Sequence, residues 1–397
     1  MENPKKEGLM KKYLALVSAL LFFLCCAPKG EKVEKVMEDG VEVVLNRLEP
    51  YSIKGESATF TLEEEFSIDT EDEKIAELGL TDIGGYFDAD SSGNVYLVNP
   101  KGDESIIYKF DKDGDFVSSF SRRGQGPGEL LARGFPSLHL TIDHRDNIAV
   151  SDFRNHKVSF FEKDGSLINE VKIGTNLFDA VPLANGNYLG LVSVLDASSE
   201  YINQNPLILF NKEFEKIKEL DKQLIPNPIV GKKLKATWHI LCWSVTKEKV
   251  YTGFQERGYE IYVYDFDGNL LQKIKKDYKP VPVPDEYKEK FLKTFESPLF
   301  DSIRNKIYFP DSMPPFHAFF SDDEGRLFVM TYEKGPNPGE YIYDIFDPEG
   351  VFIGRKSLKV FHNESDMYAK MKNGRFYCLN EKDSGYKELK VYKVNWK

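Results

Sequence analysis

The chain of 397 residues has little cysteine, which limits how covalent cross-links could hold it together. Of its four cysteines, Cys25 and Cys26 lie side by side near the N-terminus, so only Cys242 and Cys378 remain in the body. Each of these two lies in an apolar run. We therefore predict buried free thiols rather than a disulfide.

The sequence also lacks the short motifs of several common catalytic sites. It contains no Gly-x-Ser-x-Gly, His-Glu-x-x-His or Cys-x-x-Cys pattern. Positive charge is in deficit as well, because 53 Lys and Arg face 64 Asp and Glu and leave a net charge of −11. An acidic surface repels phosphate backbones, so we expect no nucleic-acid partner.

The N-terminal segment has the pattern of a targeting signal rather than of a folded element. Lys11 and Lys12 precede the apolar run Tyr13–Leu24. That run is shorter than the roughly 20 residues that a membrane-spanning helix needs. Basic residues, a short apolar run and a cysteine together are typical of a bacterial lipoprotein signal, so we predict a signal peptide over 1–25.

The predicted lipidation site is Cys26, with Cys25 as the alternative. The residue before the cleavage site should be small, and Cys25 is smaller than Leu24. A cleaved signal without a lipid is the remaining alternative. The charged segment 26–39 is predicted to be a flexible tether. We expect an anchor in the bacterial cell envelope, at the outer membrane or the periplasmic face. Ala27, not Asp, follows the lipidated residue, which favours sorting to the outer membrane if the host has two membranes.

One outline of strands and turns repeats along the rest of the chain. It consists of an apolar strand, a turn with Gly or Asn, a second strand, a loop, a strand ending in Phe-Asp-x-x-Gly or a variant of it, and a further strand. The six copies are Tyr86–Phe120, Leu138–Ile173, Phe178–Leu220, Trp238–Ile274, Phe316–Ser357 and Met367–Val394. We therefore predict an all-β fold over 40–397, a six-bladed β-propeller of four-stranded antiparallel blades.

The last copy has room for only three strands, whereas the strand-like segment Ala58–Phe66 has no blade of its own. We predict that this N-terminal strand completes the last blade and closes the ring. Leu195–Asn205 and Lys279–Pro315 exceed the outline and are predicted insertions. Within the second, Asp285–Phe295 has the apolar spacing of a short surface helix.

Two runs carry a resemblance to a known family. The run RGQGPGE at Arg123–Glu129 and the run DFRNHKVSF at Asp152–Phe160 resemble the linker and core signature of NHL-repeat propellers. From Gly40 to Lys397 the chain is similar to the six-bladed propeller lipoproteins of bacterial envelopes. The resemblance implies a fold rather than a reaction, because one fold serves many functions.

The glycines of the GQGPGE run at Gly124–Glu129 allow two interpretations. A phosphate cradle is one, but the run lacks the Gly-Lys-Ser/Thr ending of a P-loop. The other is a flexible crossing from the outer strand of one blade to the inner strand of the next. We favour the crossing.

Three of the six histidines form a candidate metal site. His139, His239 and His317 each lie near the start of a predicted innermost strand, which lines the channel of a propeller. Three imidazoles can hold one zinc ion with open coordination positions. NHL-type propellers that are peptidyl-hydroxyglycine lyases look similar, with histidines from several blades around zinc. The structural alternative, which we favour, is three separate histidines within the sheets.

Apart from zinc, calcium is the other cofactor considered, and we expect none. Asp143, Asp146 and Asp152 lie close together in the sequence, but their spacing matches no EF-hand loop. A candidate anion-binding site consists of the basic residues Arg122, Arg123, Arg154 and His156. Salt bridges to nearby acidic residues are the structural alternative for the arginines.

These observations predict a lipid-anchored extracytoplasmic binding or scaffold module for a protein, peptide or glycan at the cell envelope. The expected recognition surface is the axial mouth of the propeller, bordered by Lys279–Pro315. The alternative is a metal-dependent lyase or hydrolase with histidines in the central channel. A third hypothesis, a purely structural role in an envelope assembly, predicts a surface without a concave pocket.

Overall fold

The structure, a computed structural model, describes residues 33–52, 59–132, 138–174, 176–237, 240–359 and 368–397. The predicted signal peptide, the candidate lipidation sites Cys25 and Cys26, and His239 lie outside these ranges. Most regular structure within them is β-strand, which confirms the all-β prediction. None of the helices in the described ranges has the length and apolar character needed to cross a membrane.

Three strands and a short helix precede the first blade: β1 (Glu34–Glu38), β2 (Val41–Asn46), β3 (Phe60–Asp69) and α1 (Glu73–Glu77). β1 lies inside the segment 26–39, so the prediction of a flexible tether is wrong for Glu34–Glu38. The physical reason is backbone pairing. β1 forms an antiparallel hairpin with β2, and hydrogen bonds of this kind order even a strongly charged segment.

The first two copies of the repeat fold as antiparallel four-stranded blades. Blade 1 consists of β4 (Phe87–Ala89), β5 (Val95–Val98), β6 (Ile107–Phe110) and β7 (Phe116–Phe120). Blade 2 consists of β8 (Leu138–Ile142), β9 (Ile148–Asp152), β10 (Lys157–Phe161) and β11 (Leu167–Lys172). In each blade the strand order in space follows the order in sequence, as a β-meander requires.

Blade 3 carries the first predicted insertion. Its strands are β12 (Leu177–Pro182), β13 (Tyr188–Val192), the short β14 (Val194–Leu195), β15 (Tyr201–Phe210) and β16 (Lys216–Pro226). β14 pairs with the first half of β15, so the segment Leu195–Asn205 lengthens a hairpin of this blade.

Blade 4 is wider than the others. After β17 (Leu234–Lys235) it consists of β18 (Leu241–Val245), β19 (Val250–Phe254), β20 (Glu260–Tyr264) and β21 (Leu270–Lys276), with a 3₁₀ turn at Gln255–Arg257. β2 pairs in parallel with β21, so the N-terminal hairpin extends this blade to six strands.

The second predicted insertion follows blade 4. It contains α2 (Asp285–Lys293), a 3₁₀ turn (Pro298–Phe300), α3 (Asp301–Arg304) and β22 (Ile307–Tyr308). α2 confirms the helix predicted within this segment. β22 pairs in parallel with β17, and this pairing ties the insertion to the chain segment that precedes blade 4.

The last two blades complete the ring. Blade 5 consists of β23 (Ala318–Ser321), β24 (Leu327–Lys334), β25 (Glu340–Phe346) and β26 (Phe352–Lys359). Blade 6 consists of β27 (Ala369–Lys372), β28 (Arg375–Glu381) and β29 (Lys387–Trp396), together with β3. β3 pairs antiparallel with β29, Phe60 opposite Trp396, which confirms closure by an N-terminal strand. Ala58 lies outside the described residues.

Burial differs between the middle strands and the outer strand of a blade. All five residues of β9 and all five of β10 are buried, because neighbouring blades cover both faces of each sheet. The outer strand β11 has no buried residue. Phe160 and Phe161 of β10 pack into different clusters, one on each face of blade 2.

The GQGPGE run crosses between blades, as we favoured. It lies between β7, the outer strand of blade 1, and β8, the inner strand of blade 2. The Gly126 N–H donates a hydrogen bond to Glu129 Oε2 at 2.9 Å. Lys157 Nζ donates to the Gly126 carbonyl at 3.0 Å, and Asn155 Nδ2 donates to the Gly124 carbonyl at 2.9 Å. The run is thus held by its own glutamate and by side chains of blade 2.

Cys242 and Cys378 are both buried and free of disulfides, as predicted. Cys242 lies on β18, and burial raises the pKa of its thiol. Cys378 lies on β28. Because both thiols are free, no disulfide links the described residues, and packing rather than cross-linking stabilises this part of the chain.

Candidate functional site

The candidate site is a cavity of about 690 Å³ on the axis of the ring, called here the axial cavity. Its wall is formed by residues of all six innermost strands, β4, β8, β12, β18, β23 and β27, and by the turns that follow several of them. No described residue of Lys279–Pro315 lines it, so the expectation that this insertion borders an axial mouth stays a prediction. The insertion joins an outer to an inner strand, and such connections lie at the opposite end of the ring from those turns.

Asp88, Lys370 and Lys372 form the lysine–aspartate cluster of the axial cavity. Lys370 Nζ lies 3.1 Å from Asp88 Oδ2, and Lys372 Nζ lies 3.4 Å from Asp88 Oδ1. Asp88 also accepts backbone hydrogen bonds from Ile142 at 2.9 Å and Ala89 at 2.8 Å. The Asp88 side chain is 5% exposed, against 37% for Lys370 and 25% for Lys372. The ammonium groups rather than the carboxylate therefore face the open space.

The charges of this cluster shift the ionisation of its members. Burial alone would raise the pKa of Asp88, but the two ammonium groups and two backbone N–H groups outweigh it and hold that pKa well below its usual range. Burial lowers the pKa of Lys370 and Lys372 lowers it further, whereas Asp88 opposes both. An additional anion beside Lys370 would stabilise its charged form.

His139 lies on β8 beside the lysine–aspartate cluster. Its ring packs edge-on against Tyr86 with centroids 4.5 Å apart, and its Nδ1 lies 3.8 Å from Asp179 Oδ1. Burial lowers the pKa of His139 to about 3; Lys370 contributes to this decrease and Asp88 opposes it. The imidazole is therefore neutral at physiological pH.

The three predicted metal ligands have different surroundings. His139 lines the axial cavity, but His317 is not among its lining residues. The His317 ring packs against Tyr332 at 5.5 Å, and its backbone N–H donates to the Met330 carbonyl at 2.7 Å. His239 lies outside the described residues. Within the described ranges, no group of three or more His, Cys, Asp or Glu is placed to hold a metal ion. The zinc hypothesis stays a prediction.

The aspartates considered for calcium serve separate turns and connections. Asp143 accepts the backbone N–H of Arg145 at 2.7 Å, and Asp146 accepts that of Ser91 at 2.8 Å. Asp152 accepts the backbone N–H of Leu131 at 2.8 Å, beside the crossing run. Their carboxylates thus hold loops.

The predicted anion-binding residues lie near the crossing run and do not line the axial cavity. Arg122 forms a salt bridge with Glu129, with Nε to Oε1 at 2.7 Å. Arg123 pairs with Asp103 and donates to the Gly102 carbonyl at 2.6 Å. Arg122 and Arg123 therefore follow the salt-bridge alternative. The two remaining residues, Arg154 and His156, are exposed.

Sequence reasoning missed the lysine–aspartate cluster. The available signal was Ala369–Lys372, a strand with lysines at alternate positions in the innermost place of its blade. Alternate residues of a strand share a face, so both lysines had to face the channel together. Their partner Asp88 is 284 residues from Lys372, and no local pattern joins them.

The chain is similar to several solved structures. A member of the DUF4221 family from Bacteroides vulgatus aligns with a TM-score of 0.52 and 13% identity, over 86% of this chain and 99% of the other. A luciferin-regenerating enzyme aligns with a TM-score of 0.41 and 12% identity, over 85% and 98% of the two chains. Virginiamycin B lyase from Staphylococcus aureus aligns with a TM-score of 0.41 and 10% identity, over 85% and 100%. At these identities the likeness concerns the fold alone.

A search among curated proteins returned no match. One family model does match, and it covers residues 89–294, which is more than half of the chain. That range contains blades 2, 3 and 4 and most of blade 1. The chain therefore belongs to the DUF5128 family of 6-bladed beta-propellers.

Proposed function

We propose that this protein is a binding module at the bacterial cell envelope and that it takes its ligand, part of a protein, a peptide or a glycan, into the axial cavity. The observation that carries the proposal is the cavity itself. Its volume of about 690 Å³ lies within the range of small-molecule binding sites. Apolar rings and charged groups line it together, a mixture that supports binding with defined orientation.

The proposed cellular location rests on the N-terminal sequence. It comprises lipidation at Cys26 and anchoring at the outer membrane or periplasmic face. The resemblance to NHL-like propeller lipoproteins of bacterial envelopes supports it. About eight residue steps separate Cys26 from β1, which limits the anchor to within about 28 Å of that strand. A lipid at Cys26 would thus keep the outer edge of blade 4 near the membrane.

Filling the axial cavity tests the binding proposal. Val181 lines the cavity from β12, and Val181→Trp should block it without changing charge. We expect members of a panel of peptides and oligosaccharides to raise the Tm of the full chain in detergent by at least about 2 °C. The variant should lose that shift.

The matched control is Val194→Trp, which adds the same side chain at a position that is 43% exposed and outside the cavity. It should respond to ligands as the wild type does. Ligands that stabilise Val181→Trp equally, or a panel in which nothing stabilises the wild type, would refute cavity binding.

The proposed anchor has its own test. Cys26→Ala should abolish incorporation of labelled palmitate and move the protein from the detergent phase to the aqueous phase in a Triton X-114 partition. Cys25→Ala should leave both properties unchanged. Labelling that depends on Cys25 would assign lipidation to Cys25 instead. Labelling that depends on neither cysteine would refute the proposed anchor.

A further inference from the structure

The axial cavity holds two lysines whose ammonium groups share one buried carboxylate. Lys370 and Lys372 both approach Asp88, within 3.1 and 3.4 Å, while Asp88 itself is only 5% exposed. Among the described residues, Asp88 is the carboxylate within salt-bridge distance of both ammonium groups. Because the lysines are the exposed members of the cluster, a ligand meets their charge first.

The other carboxylates that line the cavity are already engaged. Asp322 pairs with Arg326 at 2.9 Å. Asp323 accepts the backbone N–H of Asn373 at 2.6 Å. The others are held in the same way: Asp143 accepts the backbone N–H groups of Arg145 and Asn147, and Asp146 accepts the N–H and hydroxyl of Ser91. These four carboxylates lie in the turns, where Arg326 neutralises Asp322 and hydrogen bonds hold the other three in place. Lys370 and Lys372 lie on the innermost strand β27 and supply the cationic groups beside Asp88.

Part of the cavity wall is aromatic. Tyr368 lies next to β27, two residues before Lys370, and Tyr86 lies next to β4. The Tyr368 ring rests directly on Gly85, where an added Cβ would lie 1.9 Å from the ring. Besides these tyrosines, Trp243 of β18 also lines the cavity and is half-buried.

Hydroxyl and amide groups complete the wall. Ser244 and Thr246 line the cavity near Trp243, and Asn373 lines it next to Lys372. Partly exposed rings offer apolar faces to the C–H groups of a sugar, while hydroxyls and amides hydrogen-bond its hydroxyl groups. The wall therefore suits a polar ring compound that also carries a negative charge.

We propose that Lys370 and Lys372 bind the carboxylate of an acidic saccharide whose rings lie in the axial cavity. This inference rests on the proposed binding function and names its ligand class, a glycan that contains uronic acid. Charged hydrogen bonds from ammonium to carboxylate are the stronger kind, so the lysines contribute affinity as well as orientation. The additional carboxylate also opposes the effect of burial on Lys370.

Calorimetric titration of the full chain in detergent with trigalacturonic acid tests the proposal. The wild type should bind it and should bind the neutral maltotriose at least about tenfold more weakly. Lys372→Met leaves Asp88 paired with Lys370 and should weaken binding of trigalacturonic acid by at least about tenfold. Lys370→Met should do the same, with its folding checked by circular dichroism.

The matched control is Lys212→Met, which removes a lysine whose side chain is 79% exposed and does not line the axial cavity. It should change the affinity less than twofold. Equal binding of maltotriose, full affinity in Lys372→Met, or no binding of trigalacturonic acid would each overturn the acidic-saccharide assignment. Tricarballylate that binds as tightly as trigalacturonic acid would replace the saccharide by a simple organic acid.

These outcomes are separable from failure of the proposed function. If panel ligands still stabilise the wild type but not Val181→Trp, the cavity binds a ligand of another class and only the acidic-saccharide assignment falls. If Val181→Trp binds trigalacturonic acid as well as the wild type does, the saccharide binds outside the cavity and the acidic-saccharide assignment falls. The proposed function falls only if no panel ligand distinguishes the wild type from Val181→Trp.

Discussion

Replacement of Asp344 by asparagine is expected to lower the free energy of unfolding by about 3–5 kcal/mol, because it removes the negative charge of a buried ionic network. Asp344 on β25 is 1% exposed, and its Oδ2 lies 3.3 Å from Nζ of Lys276, which is 4% exposed. Its Oδ1 accepts a hydrogen bond from Arg355 Nε at 3.0 Å, and its Oδ2 accepts the Tyr259 hydroxyl at 2.8 Å. The variant leaves Lys276 buried beside a neutral amide.

Urea unfolding of Asp344→Asn beside the wild type measures this loss. The control is Asp113→Asn, which removes an ion pair with Lys112 whose two side chains are 60% and 64% exposed. Solvent screens that exposed pair, so its loss should change stability far less than the loss of the buried network. Adding Lys276→Met to Asp344→Asn should recover part of the loss. Similar losses in Asp344→Asn and Asp113→Asn would contradict the buried-network explanation.

His139 is expected to make the protein less stable as the pH falls from about 6.5 towards 3. The usual pKa of histidine is near 6.5, whereas burial lowers that of folded His139 to about 3. In this window the unfolded chain binds a proton that the folded protein does not. The contribution of His139 to the free energy of unfolding is therefore fully present above pH 6.5. It is lost on acidification, by at most about 1.4 kcal/mol per pH unit.

His139→Phe tests this dependence and keeps a ring against Tyr86. The charged groups that face His139 are Lys370 and Asp88 of the cluster and Asp179 of β12, and the variant retains them all. Between pH 6.5 and 4.5 its unfolding free energy should fall less steeply than that of the wild type. The difference in slope corresponds to the uptake of up to one proton on unfolding. The control Val194→Phe adds the same ring at a position that is 43% exposed, changes no titratable group and should follow the wild-type slope. Parallel curves for His139→Phe and wild type would disprove the contribution.

Local sequence patterns were sufficient to predict the six-bladed ring. The turn at Asp265–Gly268 shows why: Asp265 accepts the backbone N–H of Asn269 at 2.8 Å, and Gly268 adopts a φ of +80°. Such residues mark a turn whatever lies around it. Turns of this kind between apolar runs set the strand boundaries, and the missing fourth strand of blade 6 identified the closing strand.

Which side chains line the axial cavity depends on strand register and on how the ring closes, and the sequence alone specifies neither. His139 and His317 both lie near the start of an innermost strand, yet only His139 lines the axial cavity. A shift of one residue directs a strand side chain to the other face, and the sequence does not specify position that closely. The N-terminal hairpin was missed because β1 is charged, and its order depends on β2 and β21.

The sequence by itself determined the strands, the turns and the number of blades, because hydrophobic period and turn chemistry act over a few residues. Only the tertiary structure decided which charged side chains meet in the axial cavity. Lys372 and Asp88 are 284 residues apart and come within 3.4 Å because β3 closes blade 6 and brings β27 beside β4. Contacts between blades depend on how the ring closes, and local sequence carries no record of them.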